Sequence, residues 1–325
     1  VNRIRGAQRI QVVGHVRPDG DCIGALLAMH HLLGRWGIEH ALAAAAMPIS
    51  AYDELTGFER IAERPAGWRP DLVVFVDTAD LARGLPGWTP GAPIVNIDHH
   101  AGNTRFGEIN WIEPACSSVC EMLFWLARRA AARIDRDLAE ALLLGLMTDT
   151  GSFRFNNTGA TQLRVAAELV EAGARPDRIA RLAWGSQTFE GLSLLGTVLS
   201  RIRLLCGGRL SWSELRRADY ARVGGEQHAP ENLADQLRAV RGVRLGLLFH
   251  ELPDGAMRIN YRSDGAVNVS ALATALGGGG HPAAAGAYLT GADYEAVRDR
   301  AIADARQALE AALGEAPGAS EPTGG

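Results

Sequence analysis

Residues 9–25 read RIQVVGHVRPDGDCIGA. The opening six residues form the short apolar run of a buried strand, and an apolar-rich stretch from Ile23 to Trp36 predicts a helix. Between them stand His15, Asp19 and Asp21, so ligand-forming side chains gather where a strand gives way to a helix. Two further runs, DLVVFVD at 71–77 and PIVNI at 93–97, show no polar alternation, the pattern of central strands covered on both faces. Helices are predicted at 117–132, with Ser117 and Ser118 as N-caps, at 136–147 behind Asp135, and at 160–172 ahead of Gly173. Strands alternating with helices predict an α/β fold, a parallel sheet with helices on both faces.

The pattern changes after about residue 187. Residues 198–212 predict a hairpin turning at Gly207-Gly208, followed by a helix at 230–241, strands at 243–251 and 256–262, and a helix at 267–276. A strand at 284–289 and a helix at 293–313 complete a smaller α+β unit. The expected organisation is an N-terminal domain at 1–187, a C-terminal domain at 188–312, a cleft between them, and a disordered tail at 313–325, where EAPGASEPTGG offers little to bury. The length of 325 residues suits two cores better than one.

Four segments end an apolar stretch in carboxylates or imidazoles. They are the His15/Asp19/Asp21 segment, Asp77 in VDT, the Asp98-His99-His100 run, and Asp149 in LGLMTDTGSFR. Each alone has a structural reading: Asp-Gly makes turns, aspartates cap helices, and paired histidines sit on surfaces, as His30-His31 are expected to do on their helix. Together they converge, because ligands of open parallel sheets gather beyond the strands' carboxyl ends. Carboxylates with a few imidazoles suit Mn²⁺ or Mg²⁺, whereas thiolates would favour zinc. Two such ions held about 3.5–4 Å apart hydrolyse phosphate esters without a protein nucleophile. Cys22, Cys116, Cys120 and Cys206 form no CxxC pair and fit a reduced protein; Cys22 reads as a packing residue.

These residues resemble the DHH phosphoesterase superfamily, named for the run seen here at 98–100. The likeness extends over HVRPDGDCIGA, VDT, DHH and TDTG, and continues through RSDGAVNVSALATALGGGGHPAAAG at 262–286, which is similar to the DHH-associated C-terminal domain. The resemblance implies that His15 and Asp19 hold one metal, that Asp21, His99 and Asp149 hold the other, and that Asp77 bridges them. It implies that His100 faces the scissile phosphate as ligand or general acid and that Asp98 orients an imidazole. Arg262, the glycine loop through Gly278, Gly279 and Gly280, and His281 would then hold the substrate. One departure is Gly24-Ala25, where the family pattern often continues Gly-Ser.

The two-domain size is similar to the nanoRNase/pAp phosphatase branch. That resemblance implies two divalent ions, Mn²⁺ before Mg²⁺, and hydrolysis of very short oligonucleotides, linear dinucleotides such as pApA, or 3′-phosphoadenosine 5′-phosphate (pAp) to mononucleotides. A cyclic di-AMP phosphodiesterase and a catalytically silent nucleotide-binding regulator are the alternatives. The net charge of −4 gives no basic field for long duplex nucleic acid. No run is apolar enough for a bilayer, and no signal peptide is apparent, so a cytoplasmic location is expected; a homodimer is compatible with the family.

Overall fold

A computed structural model of the chain describes residues 1–46, 52–65, 67, 69–85, 87–185, 188–225 and 233–314. The expected tail falls, from residue 315 on, outside the described residues. Two compact units appear, Val1–Ser186 and Gln187–Gly325. Among the described residues no helix is long and apolar enough to cross a membrane.

The first unit runs α1 (Asn2–Arg5), β1 (Arg9–Val13), α2 (Gly20–Arg35), β2 (Glu39–Ala43), β3 (Ile61–Ala62), β4 (Leu72–Val76), β5 (Ile94–Asp98), β6 (Ile109–Ile112), α3 (Val119–Arg129), α4 (Arg136–Asp149), α5 (Ala160–Glu171) and α6 (Pro176–Ala180). Its six strands lie in the order β3-β2-β1-β4-β5-β6, and every neighbouring pair is parallel. From β1 the chain builds outward to β3, then returns to the other side of β1 for β4. The crossovers beside β1 and β4 therefore leave in opposite directions, which opens a crevice at the carboxyl ends of those strands.

The continuous apolar runs explain the burial. All five residues of β4 are buried. Ile10, Val12, Val74 and Val76 share a core with α2, α3 and α4. Val13, Ala43, Val73 and Phe75 face the other way, against Leu85, Trp88 and Phe106 of the connections flanking β5.

Helix α2 begins at Gly20 rather than Ile23, because Asp19 caps it by accepting the Cys22 N–H (3.1 Å). The His30-His31 pair is half-buried, not surface-exposed as expected. His30 Nδ1 meets His40 Nε2 of β2 at 2.7 Å, and His40 Nδ1 donates to the Ile38 carbonyl (2.8 Å).

The second unit comprises α7 (Phe189–Ser200), β7 (Arg203–Leu205), β8 (Leu210–Leu215), α8 (Arg217–Arg222), α9 (Leu233–Arg238), β9 (Leu245–Glu251), β10 (Met257–Ser263), α10 (Val269–Thr274), β11 (Gly279–Gly280), β12 (Ala284–Leu289) and α11 (Tyr294–Leu313). The expected hairpin turns at 206–208, but residues 198–200 belong to α7, which is capped by Thr188. Of the helix expected at 230–241, residues 230–232 lie outside the described residues, 233–238 form α9, and 239–241 have left the helix. The sheet order is β11-β12-β10-β9-β8-β7, antiparallel except for the β8–β9 pair. Alternation in β9 sends Leu245, Leu247 and Phe249 to the face covered by α10 and α11, and Leu248 to the face covered by α7, α8 and α9.

Candidate metal centre

The six acidic and imidazole donors converge at the β1/β4 switch point of the first unit. His15 follows β1, and its Nδ1 lies 3.0 Å from the Val16 carbonyl. As donor in that bond, Nδ1 leaves the Nε2 lone pair for a ligand. Nε2 lies 3.4 Å from Asp77 Oδ2 and 3.8 Å from Asp19 Oδ1.

Asp77 follows β4 and adopts φ 52°, a left-handed backbone that costs a non-glycine residue about 1–3 kcal/mol. Its side chain is buried and its Oδ1 has no hydrogen-bond partner. Around that oxygen stand His99 Nε2 at 3.8 Å and His100 Nδ1 at 3.6 Å.

Asp98 ends β5 and is fully buried. Its Oδ1 accepts from the His99 N–H (2.9 Å) and lies 2.7 Å from His100 Nδ1, and its Oδ2 accepts from Asn103 Nδ2 (2.6 Å). Asn103 also donates to the Thr78 carbonyl (3.1 Å), which ties the turn after β5 to the turn after β4. His99 directs Nδ1 at the Cys116 carbonyl (3.3 Å) and Nε2 at Asp149 Oδ2 (3.2 Å). Asp149 comes from the C-terminus of α4, so three donor segments leave strands and the fourth ends a helix.

Asp21, in the first turn of α2, is buried and has both carboxylate oxygens occupied. Oδ2 accepts from the Val119 N–H (2.6 Å) and Oδ1 from the Cys120 N–H (3.0 Å), at the N-terminus of α3. That terminus carries a partial positive charge suited to a carboxylate. Nothing in the local sequence announces this contact, which spans 98 positions.

The electrostatics reflect carboxylates crowded together with imidazoles. Burial pushes the Asp149 carboxyl up to about 6, against the pull of His99. Burial, then the charges of Asp149 and Asp77, holds Asp21 well above the usual carboxylate range. Burial opposes protonation of His99, but Asp149, Asp77 and Asp21 outweigh it and raise the imidazole well above its ordinary value. His100 rises in the same direction, burial being overcome by Asp98 and Asp77.

A pair of divalent cations fits this donor set. Ligand atoms of Asp21, His99 and Asp149 lie within 4.8 Å of one another, as do those of His15, Cys22 and Asp77. The buried, unpartnered Oδ1 of Asp77 is the atom a cation would satisfy. Cys22 is indeed buried, yet its sulfur adjoins donor atoms rather than apolar packing alone.

The C-terminal candidates belong to the second unit. Arg262 is the penultimate residue of β10, with Nε on Asp235 Oδ1 (2.5 Å) and Nη1 on the Tyr261 carbonyl (3.1 Å). Packing accounts for two of the glycines: a Cβ at Gly280 would lie 2.6 Å from Ala284 O and Ala285 Cα of β12, and one at Gly278 would lie 2.7 Å from Ala287 Cα. Gly279 has nothing within 4 Å of where a Cβ would stand. The His281 N–H donates to the Ala284 carbonyl (2.8 Å).

A six-stranded parallel sheet with carboxylates and imidazoles at its switch point defines the class: an α/β domain with side chains able to hold metal. The chain belongs to the DHH family, whose N-terminal domain matches residues 9–146, and a DHHA1 domain matches residues 219–315. The bifunctional oligoribonuclease and PAP phosphatase NrnA of Thermus thermophilus is 30% identical over 307 residues, 92% of this chain and 90% of that one. The protein of the same description from Bacillus subtilis is 28% identical over 294 residues, 89% of this chain and 91% of that one. An exopolyphosphatase-related protein from Bacteroides fragilis shares the fold with a TM-score of 0.83 at 24% identity, covering 95% of this chain and 96% of that one.

Proposed function

We propose that the chain is a two-metal phosphoesterase that hydrolyses very short oligonucleotides and pAp to mononucleotides. The observation that carries this reading is Asp77: a buried carboxylate with one unpartnered oxygen, set between His15 on one side and His99 and His100 on the other. In that position it would be shared between a metal held by His15 and Asp19 and a metal held by Asp21, His99 and Asp149. Two bound Mn²⁺ ions would offset phosphate charge and acidify the attacking water.

The remaining steps belong to the chain's own groups. Asp98 takes His100 Nδ1, which leaves Nε2 to face the phosphate, and the Asp98 carboxylate favours the charged imidazole. His100 can therefore donate to a phosphate oxygen or to the departing alcohol. Asn103 holds Asp98 and so the orientation of His100. Arg262, Gly279 and His281 grip a second substrate phosphate, with Gly278 and Gly280 shaping the loop; an arginine fork suits that task. The two NrnA relatives support the substrate class, through identity spread over nine-tenths of their length.

The test is a Mn²⁺-supplemented activity panel over pAp, oligonucleotides of two to about ten nucleotides, and cyclic di-AMP. The reading expects turnover of pAp and the shortest oligomers, falling steeply with length. Turnover of cyclic di-AMP alone would reassign the enzyme, and no turnover of any member would leave a nucleotide-binding regulator.

A further inference from the structure

Glu121 is nearly fully buried, at 2% exposure, in the first turn of α3. Among the described residues no arginine or histidine forms an ion pair with it, so only neutral donors compensate for its burial. Its Oε2 accepts the Ser117 N–H (2.7 Å) and the Ser117 hydroxyl (2.9 Å). Gln162, from α5, donates Nε2 to both oxygens (3.1 and 3.0 Å) and uses its own Oε1 to accept the Gly159 N–H (2.9 Å).

Ser118 and Glu121 also have the spacing of an ordinary helix cap, with Ser118 Oγ accepting the Glu121 N–H (3.0 Å). A simple capping box does not account for the rest. Its glutamate would return to the N-cap residue's own N–H at a solvated helix end, whereas this carboxylate binds Ser117 and is clamped by a side chain 41 positions away.

The turn it holds serves two donors of the metal centre. The Cys116 carbonyl faces His99 Nδ1, and the Val119 and Cys120 N–H groups grip Asp21. Asn157 adds a strut, donating to the Asp149 carbonyl (3.0 Å) and reaching the Ser117 carbonyl at 3.4 Å. Asp21, His99 and Asp149 thus all depend on one polar assembly behind the site.

We infer that Glu121, clamped by Gln162, is a positioning residue that presets the Asp21/His99/Asp149 half of the centre by holding the Cys116–Cys120 turn. The inference rests on the two-metal reading above. Groups that orient metal ligands from behind typically set affinity by about 10–100-fold.

The chemistry allows a reciprocal exchange. In Glu121→Gln an amide N–H₂ faces the Gln162 N–H₂; flipping Gln162 would instead set a donor against the Gly159 N–H. In Glu121→Gln/Gln162→Glu every donor again finds an acceptor. The amide placed on α3 accepts from Ser117 and donates to the carboxylate placed on α5, whose other oxygen accepts from Gly159.

The experiment is Mn²⁺ titration of the full chain by calorimetry, with electron paramagnetic resonance counting bound ions, for the wild type, Glu121→Gln, the double exchange and Gln162→Met. Two ions should bind the wild type. Glu121→Gln should weaken one of the two steps by about 10–100-fold and leave the other within a factor of two or so, and the double exchange should restore the weakened step. Gln162→Met, which keeps the carboxylate, should weaken the same step by less and serves if Glu121→Gln does not fold. Unchanged isotherms in the single variants, or no recovery in a folded double exchange, would overturn the positioning role. A wild type that binds no Mn²⁺ would instead remove the two-metal reading beneath it.

Discussion

Asp77 combines a left-handed backbone with a buried carboxylate oxygen that has no partner. Each feature costs on the order of 1–3 kcal/mol in a metal-free protein. A bound ion would satisfy the oxygen and separate the Asp21, Asp77 and Asp149 charges. Asp77→Asn should therefore act differently in two conditions. Without metal it removes the repulsion from Asp21 and Asp149 together with the attraction of His15, His99 and His100, so the melting temperature should change little; with saturating Mn²⁺ the wild type should be clearly the more stable, since ligand at 100 times Kd adds about 2.7 kcal/mol. Turnover should fall below detection in the variant. Melting curves with EDTA and with Mn²⁺ test this, and an Asn variant whose deficit is as large in EDTA as in Mn²⁺ would contradict it. All six proposed ligands were legible as residue types in their motifs. Cys22 Sγ beside His15 and Asp77, and Glu121 behind Asp21, were not, because both depend on how helices cross.

At the scale of elements, the approach of α2, α3 and α4 requires glycine at 145. A Cβ there would come within 2.7 Å of Asp21 Oδ1 and of Cys120 Sγ and Cβ. Alanine in a helix gains roughly 1 kcal/mol over glycine, but overpacking costs about 1–3 kcal/mol and occasionally more. Gly145→Ala should therefore lose up to about 2 kcal/mol in urea denaturation and also bind Mn²⁺ more weakly, since Asp21 must shift; a stability gain with unchanged binding would refute the packing account.

The contact between α2 and β2 gives a pH dependence. Burial, then the charges of His40 and His31, lowers His30 to about 4. The unfolded chain, with an imidazole near 6.5, then takes up the proton first. Stability from this group is complete above about 6.5 and declines as pH falls toward 4. Between pH 7 and pH 5 the urea midpoint of His30→Gln should fall less, or rise more, than that of the wild type. Local signals located β1, β4, β5 and the capped helices α3, α4 and α11. They missed β2, β6 and α7: β2 and β6 are short and only partly buried, and the residues of α7 from 198 on blend into the following strand.

At the scale of the whole molecule, the proposed enzyme divides the work, with metal held by the first unit and a substrate phosphate by residues of the second. Arg262→Gln should raise KM for the shortest oligonucleotides roughly ten- to a hundredfold, the worth of one charge-assisted hydrogen bond, while Mn²⁺ binding stays unchanged. Steady-state kinetics beside a Mn²⁺ titration separate the two effects, and a parallel loss of metal affinity would count against the division.

The sequence by itself determined the alternation of strand and helix, the change of character near residue 187, and which carboxylates and imidazoles stand at the ends of apolar runs. Those features are local: burial is recorded in periodicity, and helix starts in capping residues. Only the tertiary structure decided that β1 lies beside β4, which brings His15 to Asp77, and that the N-terminus of α3 closes on Asp21 across 98 positions. Strand order and helix crossing arise from the packing of surfaces distant in sequence. No spacing or period along the chain encodes them.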